Sequence, residues 1–153
     1  MQLILWRHAD AEDADGKPDF DRRLTKKGRK QAERMAEWLR PRLSREWRIL
    51  ASPAVRALET VESLAMDFDK SDDVGLAATP HSVLRAAGWP HGKMSVVVVG
   101  HQPTLGQVAA MLLEGSEGDV AMKKGAIWWF ATRERDGELQ TLLQAVTNPD
   151  ELE

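Results

Sequence analysis

Four consecutive valines, Val96 to Val99, constrain the fold more than any other feature of the sequence. Valine is enriched in strands, so this run is the strongest strand signal in the chain. A second apolar run, Leu3 to Trp6, is continuous rather than alternating, which is typical of a strand covered on both faces. Arg48 to Ala51 predicts another short strand.

Helical segments are predicted between these strands. Thr25 is a candidate N-cap for a first helix that ends at Pro41, and Ser52 followed by Pro53 predicts the start of a second. Thr104 is a candidate N-cap for a helix after the valines, and residues 82–87 predict a shorter helix. Apolar residues recur at helical spacing on three inner faces: Ala32, Met35, Ala36 and Leu39; Val55, Leu58, Val61 and Ala65; Leu105, Val108, Ala109 and Leu112.

The last part of the chain predicts a hairpin. Ile127 to Ala131 is a candidate strand, Asp136-Gly137 a turn, and Leu139 to Val146 the returning strand. Residues 10–21 and 67–75 are acidic and contain glycine, which predicts loops. The order of elements predicts an α/β fold, a three-layer α/β/α sandwich with a mostly parallel central sheet and an antiparallel edge hairpin. We expect one domain over residues 1–153.

Charge and composition exclude several kinds of protein. The chain has 153 residues, a net charge of −3 and no cysteine. The lack of cysteine removes disulfides, thiolate nucleophiles and zinc–thiolate sites, and the charge argues against nucleic acid as the main partner. No apolar stretch approaches the roughly 20 residues of a membrane helix, and the N-terminal apolar run is too short for a signal peptide. We therefore expect a cytoplasmic protein that binds neither nucleic acid nor membrane.

Polar residues stand where the predicted strands end. Arg7-His8 follows the first strand, His101 follows the valine strand, and Arg56 lies in the first turn of the helix after the second strand. Parallel sheets bind ligands at the carboxyl ends of their strands, so these side chains are expected at one edge. Arginine pairs with phosphate oxygens, and an unprotonated imidazole can accept a phosphoryl group. The pattern therefore predicts phosphoryl transfer.

Four segments resemble, in order, motifs of the histidine phosphatase superfamily, and three of them resemble its small SixA-type branch of phosphohistidine phosphatases. The resemblance runs over most of the chain to the final hairpin. Four ordered motifs at strand ends are far more specific than a single Arg-His pair. The segments are Leu5-Trp6-Arg7-His8-Ala9, residues 21–28 (Asp-Arg-Arg-Leu-Thr-Lys-Lys-Gly), residues 52–57 (Ser-Pro-Ala-Val-Arg-Ala) and residues 99–103 (Val-Gly-His-Gln-Pro).

The resemblance implies a role for each matched residue. His8 would be the nucleophile and form a phosphohistidine intermediate, attacking through Nε2 while a backbone carbonyl holds Nδ1–H. Arg7, Arg56 and His101 would complete the phosphate pocket. Arg22 stands where the branch carries an arginine near the phosphate, although a solvated surface charge is an equal interpretation. No metal or organic cofactor is expected.

Two positions depart from the family pattern. Ala9 replaces the usual glycine, which would matter if the backbone there had a positive φ or approached phosphate closely. Gln102 stands where asparagine is common. Ser52 is interpreted as a helix cap rather than a ligand.

The expected substrate follows from the leaving group. An alkoxide needs a general acid, but no acidic residue stands out in the short region 67–93, and an imidazole departs more readily. The favoured function is removal of phosphate from phosphohistidine in a protein. One alternative is a broad small-molecule phosphomonoesterase; another, of a different class, is an inactive module that binds phosphate or a phosphoprotein. The expected partners are a phosphorylated protein or small phosphorylated substrate and phosphate-like anions.

Overall fold

A computed structural model describes residues 1–115 and 117–152. Among these residues it contains six strands and four α-helices. The strands are β1 (Gln2–Arg7), β2 (Trp47–Ala51), β3 (Asp69–Lys70), β4 (Ser95–Gly100), β5 (Ile127–Arg135) and β6 (Glu138–Thr147). The helices are α1 (Lys26–Leu39), α2 (Val55–Glu62), α3 (Pro80–Ala87) and α4 (Thr104–Glu114). None of these helices is both long and apolar enough to cross a membrane.

The six strands form one sheet in the order β3-β2-β4-β1-β5-β6. The first four in this order are parallel, whereas β5 runs antiparallel to β1 and β6 antiparallel to β5. Helices α1 and α2 pack on one face of the sheet, and α3 and α4 pack on the other. The predicted three-layer α/β/α fold with its antiparallel edge hairpin is therefore confirmed.

The valine strand lies in the middle of both cores. Val97 and Val99 pack towards α1 and α2, whereas Val96 and Val98 pack towards α3 and α4. All four valines are fully buried. Successive strand residues point to opposite faces, so a strand covered by helices on both sides needs apolar residues at every position.

The first predicted helix start is confirmed. Thr25 is the N-cap of α1, and its Oγ1 accepts a hydrogen bond from the Gly28 amide at 2.9 Å. Gly28 lies directly against the Asp10 carbonyl, since a Cβ atom there would stand 1.9 Å from that oxygen. Glycine is thus required for α1 to approach the segment that follows His8.

The predicted start of α2 is wrong, and its predicted inner face is correct for Val61 and Leu58 but not for Ala65. Its N-cap is Ala54 rather than Ser52, and the Ser52 hydroxyl instead accepts from the Ala54 amide at 3.2 Å and contacts a histidine of the site. The helix ends at Glu62, before Ala65, so Ala65 does not belong to its apolar face. The residues that α2 buries are Arg56, Ala57, Thr60 and Val61.

The N-cap predicted for α4 is also wrong. Pro103 occupies the cap position, and the Gln102 side chain accepts from the Gly106 amide at 2.7 Å. The Gln102 amide also donates to the Val120 carbonyl at 3.0 Å. A glutamine two residues before the helix thus satisfies an amide that a threonine at the helix start was expected to satisfy.

Residues 67–75 are not only a loop. They contain the short edge strand β3, which pairs with β2, and a 3-10 turn at Asp72–Val74. The predicted helix at 82–87 begins earlier, at Pro80, behind a Thr79 cap.

Candidate active site

The polar residues predicted at the strand ends converge at one edge of the sheet. Arg7 is the last residue of β1 and pairs in register with Gly100, the last residue of β4. The His8 amide donates to the Gly100 carbonyl at 3.1 Å, so His8 lies beside His101. The two imidazole rings have centroids 5.3 Å apart. The sheet therefore brings together side chains that are more than ninety positions apart in sequence.

His8 is buried and oriented by two hydrogen bonds. Its Nδ1 lies 2.7 Å from the Ala9 carbonyl, which can only accept, so the proton of the neutral ring is on Nδ1. Its Nε2 accepts from Nε of Arg56 at 3.3 Å. Burial, together with the nearby charges of His101, Arg56 and Arg7, lowers the pKa of His8 to about 3. His8 is therefore neutral near pH 7, with its free lone pair on Nε2.

His101 is held by Ser52. The Ser52 hydroxyl lies 2.7 Å from Nε2 of His101, whereas Nδ1 is buried and has no partner among the described residues. Burial and the charge of Arg56 lower the pKa of His101 to about 4. Both histidines of the site are thus neutral at physiological pH.

Arg56 is almost fully buried, with 5% of its surface exposed. It approaches the site from the first turn of α2, where its Nε contacts His8. Its two terminal nitrogens donate to Asp19, one to the backbone carbonyl at 2.7 Å and one to the carboxylate at 3.1 Å. The guanidinium is thus fixed between His8 and the loop after β1.

Arg22 reaches the same carboxylate from outside. It donates to Asp19 Oδ1 at 3.0 Å and to the Glu12 carbonyl at 2.7 Å. Hydrogen bonds from Arg22 and Arg56 hold the pKa of Asp19 below its usual value. The structure therefore brings Arg22 to the rim of the pocket, next to the arginine that contacts His8.

Arg7, next to His8 in sequence, is half-buried. One terminal nitrogen donates to the Met122 carbonyl at 2.7 Å, and its Nε is buried without a partner among the described residues. Burial lowers the pKa of Arg7 below its ordinary value. An unpartnered buried N–H is costly unless an acceptor completes it.

Sequence reasoning missed three residues of this site. Asp19 was part of a predicted loop, Ser52 was assigned as a cap, and Thr60 was not considered. Thr60 Oγ1 accepts from the Ala9 amide at 3.1 Å and donates to the Arg56 carbonyl at 2.7 Å, which ties β1 to α2. Its position one helical turn after Arg56, on the same face, was the available signal.

The departure at Ala9 causes no strain. Ala9 is not among the residues with positive φ, and its methyl group is fully buried with Leu24 and Ala32. Alanine adds apolar contact here, and no positive φ requires a glycine.

This arrangement suits a phosphoryl group. It offers an unprotonated imidazole nitrogen, a second neutral imidazole, and three arginines, of which Arg56 is buried and Arg7 and Arg22 are partly buried. The described residues include no group of three or more histidine or carboxylate side chains that could hold a metal ion. Charge stabilisation at this site can come from the arginines.

Comparison with known proteins also points to a phosphatase. Residues 3–76 match the family model of the histidine phosphatase superfamily (branch 1). The chain is 32% identical to phosphohistidine phosphatase SixA of Escherichia coli (strain K12) over 123 residues, covering 75% of this chain and 76% of that protein. It is 34% identical to the phosphohistidine phosphatase SixA homolog of Haemophilus influenzae over 127 residues, covering 73% and 77%.

A solved structure agrees with the fold over its whole length. The protein histidine phosphatase SixA, complexed with tungstate, superposes with a TM-score of 0.78 at 24% identity, covering 100% of both chains. Tungstate is a tetrahedral oxyanion with the shape and charge of phosphate.

Proposed function

Because this chain belongs to the histidine phosphatase superfamily and is of the SixA type, we propose that it removes phosphate from phosphohistidine in a protein through a phospho-His8 intermediate. The chain is an enzyme of the phosphatase kind. The proposal concerns its substrate, its covalent step and the roles of its residues.

One observation carries the proposal. His8 is neutral, its Nδ1 proton is directed to the Ala9 carbonyl, and its Nε2 lone pair points towards the Arg56 guanidinium. A nucleophilic nitrogen that faces a fixed cation is the arrangement needed to attack an anionic phosphoryl group. Because the Ala9 carbonyl already fixes the orientation of the His8 ring, the ring needs no further ordering during the reaction.

In the first step, Nε2 of His8 attacks phosphorus in line with the leaving nitrogen. A P–N bond to His8 forms while the P–N bond of the substrate breaks, and the substrate imidazole leaves with the bond electrons and takes a proton from water. Arg56, Arg7 and Arg22 bind the equatorial oxygens as their charge redistributes.

His101 would assist as a neutral donor. Ser52 Oγ accepts from the Ala54 amide, and in this proposal it donates its own proton to Nε2 of His101, which places the imidazole proton on Nδ1. That buried N–H and Nε–H of Arg7 are the two unpartnered donors of the site. A phosphoryl oxygen would satisfy both.

In the second step, water attacks the phosphorus of phospho-His8. The new P–O bond replaces the P–N bond, orthophosphate leaves, and Nε2 regains its lone pair. One proton of the attacking water passes to solvent or to the departing phosphate, and the enzyme returns to its initial state.

The state of Asp19 supports phosphohistidine as the substrate. This carboxylate contacts both Arg22 and Arg56, and their hydrogen bonds lower its pKa, so it is ionised near neutral pH. An ionised carboxylate has no proton to give to an alkoxide. A leaving imidazole has much less need of one.

The test uses a synthetic phosphohistidine peptide and p-nitrophenyl phosphate, each with the wild type and with His8→Ala. We expect rapid loss of phosphohistidine, slow ester turnover and an inactive variant. A matched control is His81→Ala, since His81 is an exposed histidine outside the site. Alkaline quenching followed by mass spectrometry should find phosphate on His8 of the wild type.

Other outcomes would support one of the alternative functions or exclude the role of His8. Faster turnover of the ester would favour a general phosphomonoesterase. Activity on neither substrate would favour a module that only binds phosphate, and full activity of His8→Ala would exclude His8 as the nucleophile.

A further inference from the structure

A basic cleft adjoins the catalytic pocket. Its volume is about 740 Å³, and it lies between the first half of α1 and the segments before β5 and after β6. The cations that line it are Lys26, Lys27, Lys30, Arg34, Lys123 and Lys124. No role in the proposed reaction requires this concentration of positive charge.

The cleft contrasts with the charge of the whole chain. The protein has a net charge of −3, yet six of its 21 lysines and arginines line this one surface. Lys124 is paired with Asp10, and Lys123 with Asp150. Lys26, Lys27 and Lys30 form no ion pair with any described residue. Their charge is therefore available to an external anion.

The cleft is joined to the catalytic residues by short connections. Lys124 binds the carboxylate of Asp10, two residues after His8, at 2.9 Å. The amide of Gly125 donates to the His8 carbonyl at 3.0 Å, and Arg7 donates to the Met122 carbonyl. The segment 122–125 thus contributes Lys123 and Lys124 to the cleft and also contacts Arg7 and His8. An anionic surface placed in the cleft would lie beside the entrance to the pocket.

We infer that the cleft docks an acidic surface of the protein that carries the phosphohistidine. This inference rests on the proposed function and adds to it the charge of the partner next to its phosphorylated side chain. Electrostatic attraction between the exposed lysines and the acidic partner raises the rate of association and positions the phosphohistidine at the neighbouring pocket.

The lysines favour an extended partner over a small anion. Lys26, Lys27, Lys30, Lys123 and Lys124 are exposed, and each carries a flexible point charge. Recognition of a small phosphate compound relies on fixed forks and buried donors, as in the catalytic pocket. Flexible lysines that line a cleft of about 740 Å³ match a broad acidic surface.

The test compares Lys27→Glu/Lys30→Glu with the wild type on two synthetic phosphohistidine peptides of equal length. One peptide has glutamates around the phosphohistidine, and the other has glutamines. We expect the variant to lose about tenfold or more in kcat/KM on the glutamate peptide at low ionic strength. Its activity on the glutamine peptide and on p-nitrophenyl phosphate should be unchanged. Glutamate at these early positions of α1 is compatible with the helix, and a thermal melt would verify folding.

A matched control is Lys93→Glu/Arg135→Glu. Both residues are exposed and form no ion pair with the described carboxylates. They lie near the amino-terminal ends of the parallel strands, at the edge of the sheet opposite His8. The control carries the same change in net charge. It should keep the wild-type preference for the glutamate peptide.

Two results would overturn the inference while the proposed function stands. One is equal activity of the wild type on both peptides; the other is an equal loss in the cleft variant and the control. Micromolar inhibition by tripolyphosphate that is lost in Lys27→Glu/Lys30→Glu, without any preference between peptides, would assign the cleft to a small anion instead. If the wild type cleaves neither peptide, the proposed function fails and the docking role fails with it.

Discussion

The pocket around His8 and the basic cleft are neighbouring cationic surfaces, but the charges of the pocket are buried and paired whereas those of the cleft are exposed. In the pocket, Arg56 is almost fully buried and all three of its nitrogens have partners. In the cleft, Lys27 and Lys30 are exposed and form no ion pair among the described residues. Fixed, desolvated donors can stabilise a transition state, whereas solvated charges act mainly on encounter. The activity of the pocket should therefore depend on the geometry of its donors, whereas binding in the cleft should depend only on its charge.

Exchanging arginine and lysine gives the largest expected difference between the two surfaces. Arg56→Lys keeps the charge but loses the planar guanidinium with its several fixed N–H donors. We therefore expect kcat to fall by about 10² to 10³ on every substrate. The converse change in the cleft, Lys27→Arg/Lys30→Arg, should alter kcat/KM on the glutamate peptide by about twofold at most. Steady-state kinetics of both variants would measure this. A mild effect of Arg56→Lys would contradict the fixed geometry assigned to the pocket.

Acid should destabilise the protein through the pocket. His8 and His101 have pKa values lowered to about 3 and about 4, below the unfolded value of about 6.5. The unfolded state therefore binds more protons between pH 6.5 and about 3, and the free energy of unfolding falls as the pH drops through that window. At pH 5 we expect a loss of about 2 kcal/mol per histidine relative to pH 7.

Denaturant unfolding of His8→Gln would test this assignment. The variant should lose about 2 kcal/mol less than the wild type between pH 7 and pH 5, because it lacks one buried imidazole. His81→Gln, which leaves both buried histidines in place, should lose as much as the wild type. The same loss in all three proteins would mean that other groups cause the acid sensitivity.

Ser52 should contribute to the pocket through His101. Ser52→Ala removes the hydroxyl 2.7 Å from Nε2 and leaves a buried nitrogen unpaired, a cost of about 1 to 3 kcal/mol. We expect about a tenfold lower kcat, with partial recovery in Ser52→Thr, and a changed imidazole signal of His101 in NMR spectra. An unchanged His101 signal together with low activity would indicate a merely structural role for Ser52.

The smallest expected effect concerns Asp19. Its carboxylate binds both Arg22 and Arg56, so it competes with an incoming oxyanion for the same donors. Asp19→Asn removes that charge, and we expect tungstate to bind about two- to fivefold more tightly. Titration calorimetry would measure the change, with Asp150→Asn, a carboxylate of the cleft, as the control. Weaker tungstate binding would show that Asp19 mainly positions the arginines.

Much of the site was accessible from the sequence because its residues follow strands with clear signals. Arg7-His8 and His101 come directly after β1 and β4, and the runs that form these strands are apolar at each central position. Once the strands are known to be parallel, their carboxyl ends must meet at one edge. That rule predicted the convergence of Arg7, His8, Arg56 and His101. The four sequence motifs then indicated the protein family.

The errors came from hydroxyl groups whose partners are distant in sequence. Ser52 and Thr104 have the residue type and position of N-caps, yet the Ser52 hydroxyl contacts His101 and the Thr104 hydroxyl contacts the Ala78 carbonyl. A local rule weighs only nearby backbone amides. It has no information on an imidazole 49 positions away.

The sequence by itself determined every strand except the two-residue edge strand β3, and the chemistry at the ends of the parallel strands, because burial on both faces and element boundaries leave local patterns. Only the tertiary structure decided which groups are desolvated and which meet. The neutral state of His8, the contact of Asp19 with two arginines, and the clustering of lysines from α1 with those before β5 all depend on distances across the fold. Electrostatic effects depend on burial and separation in space, which residue type and spacing do not specify.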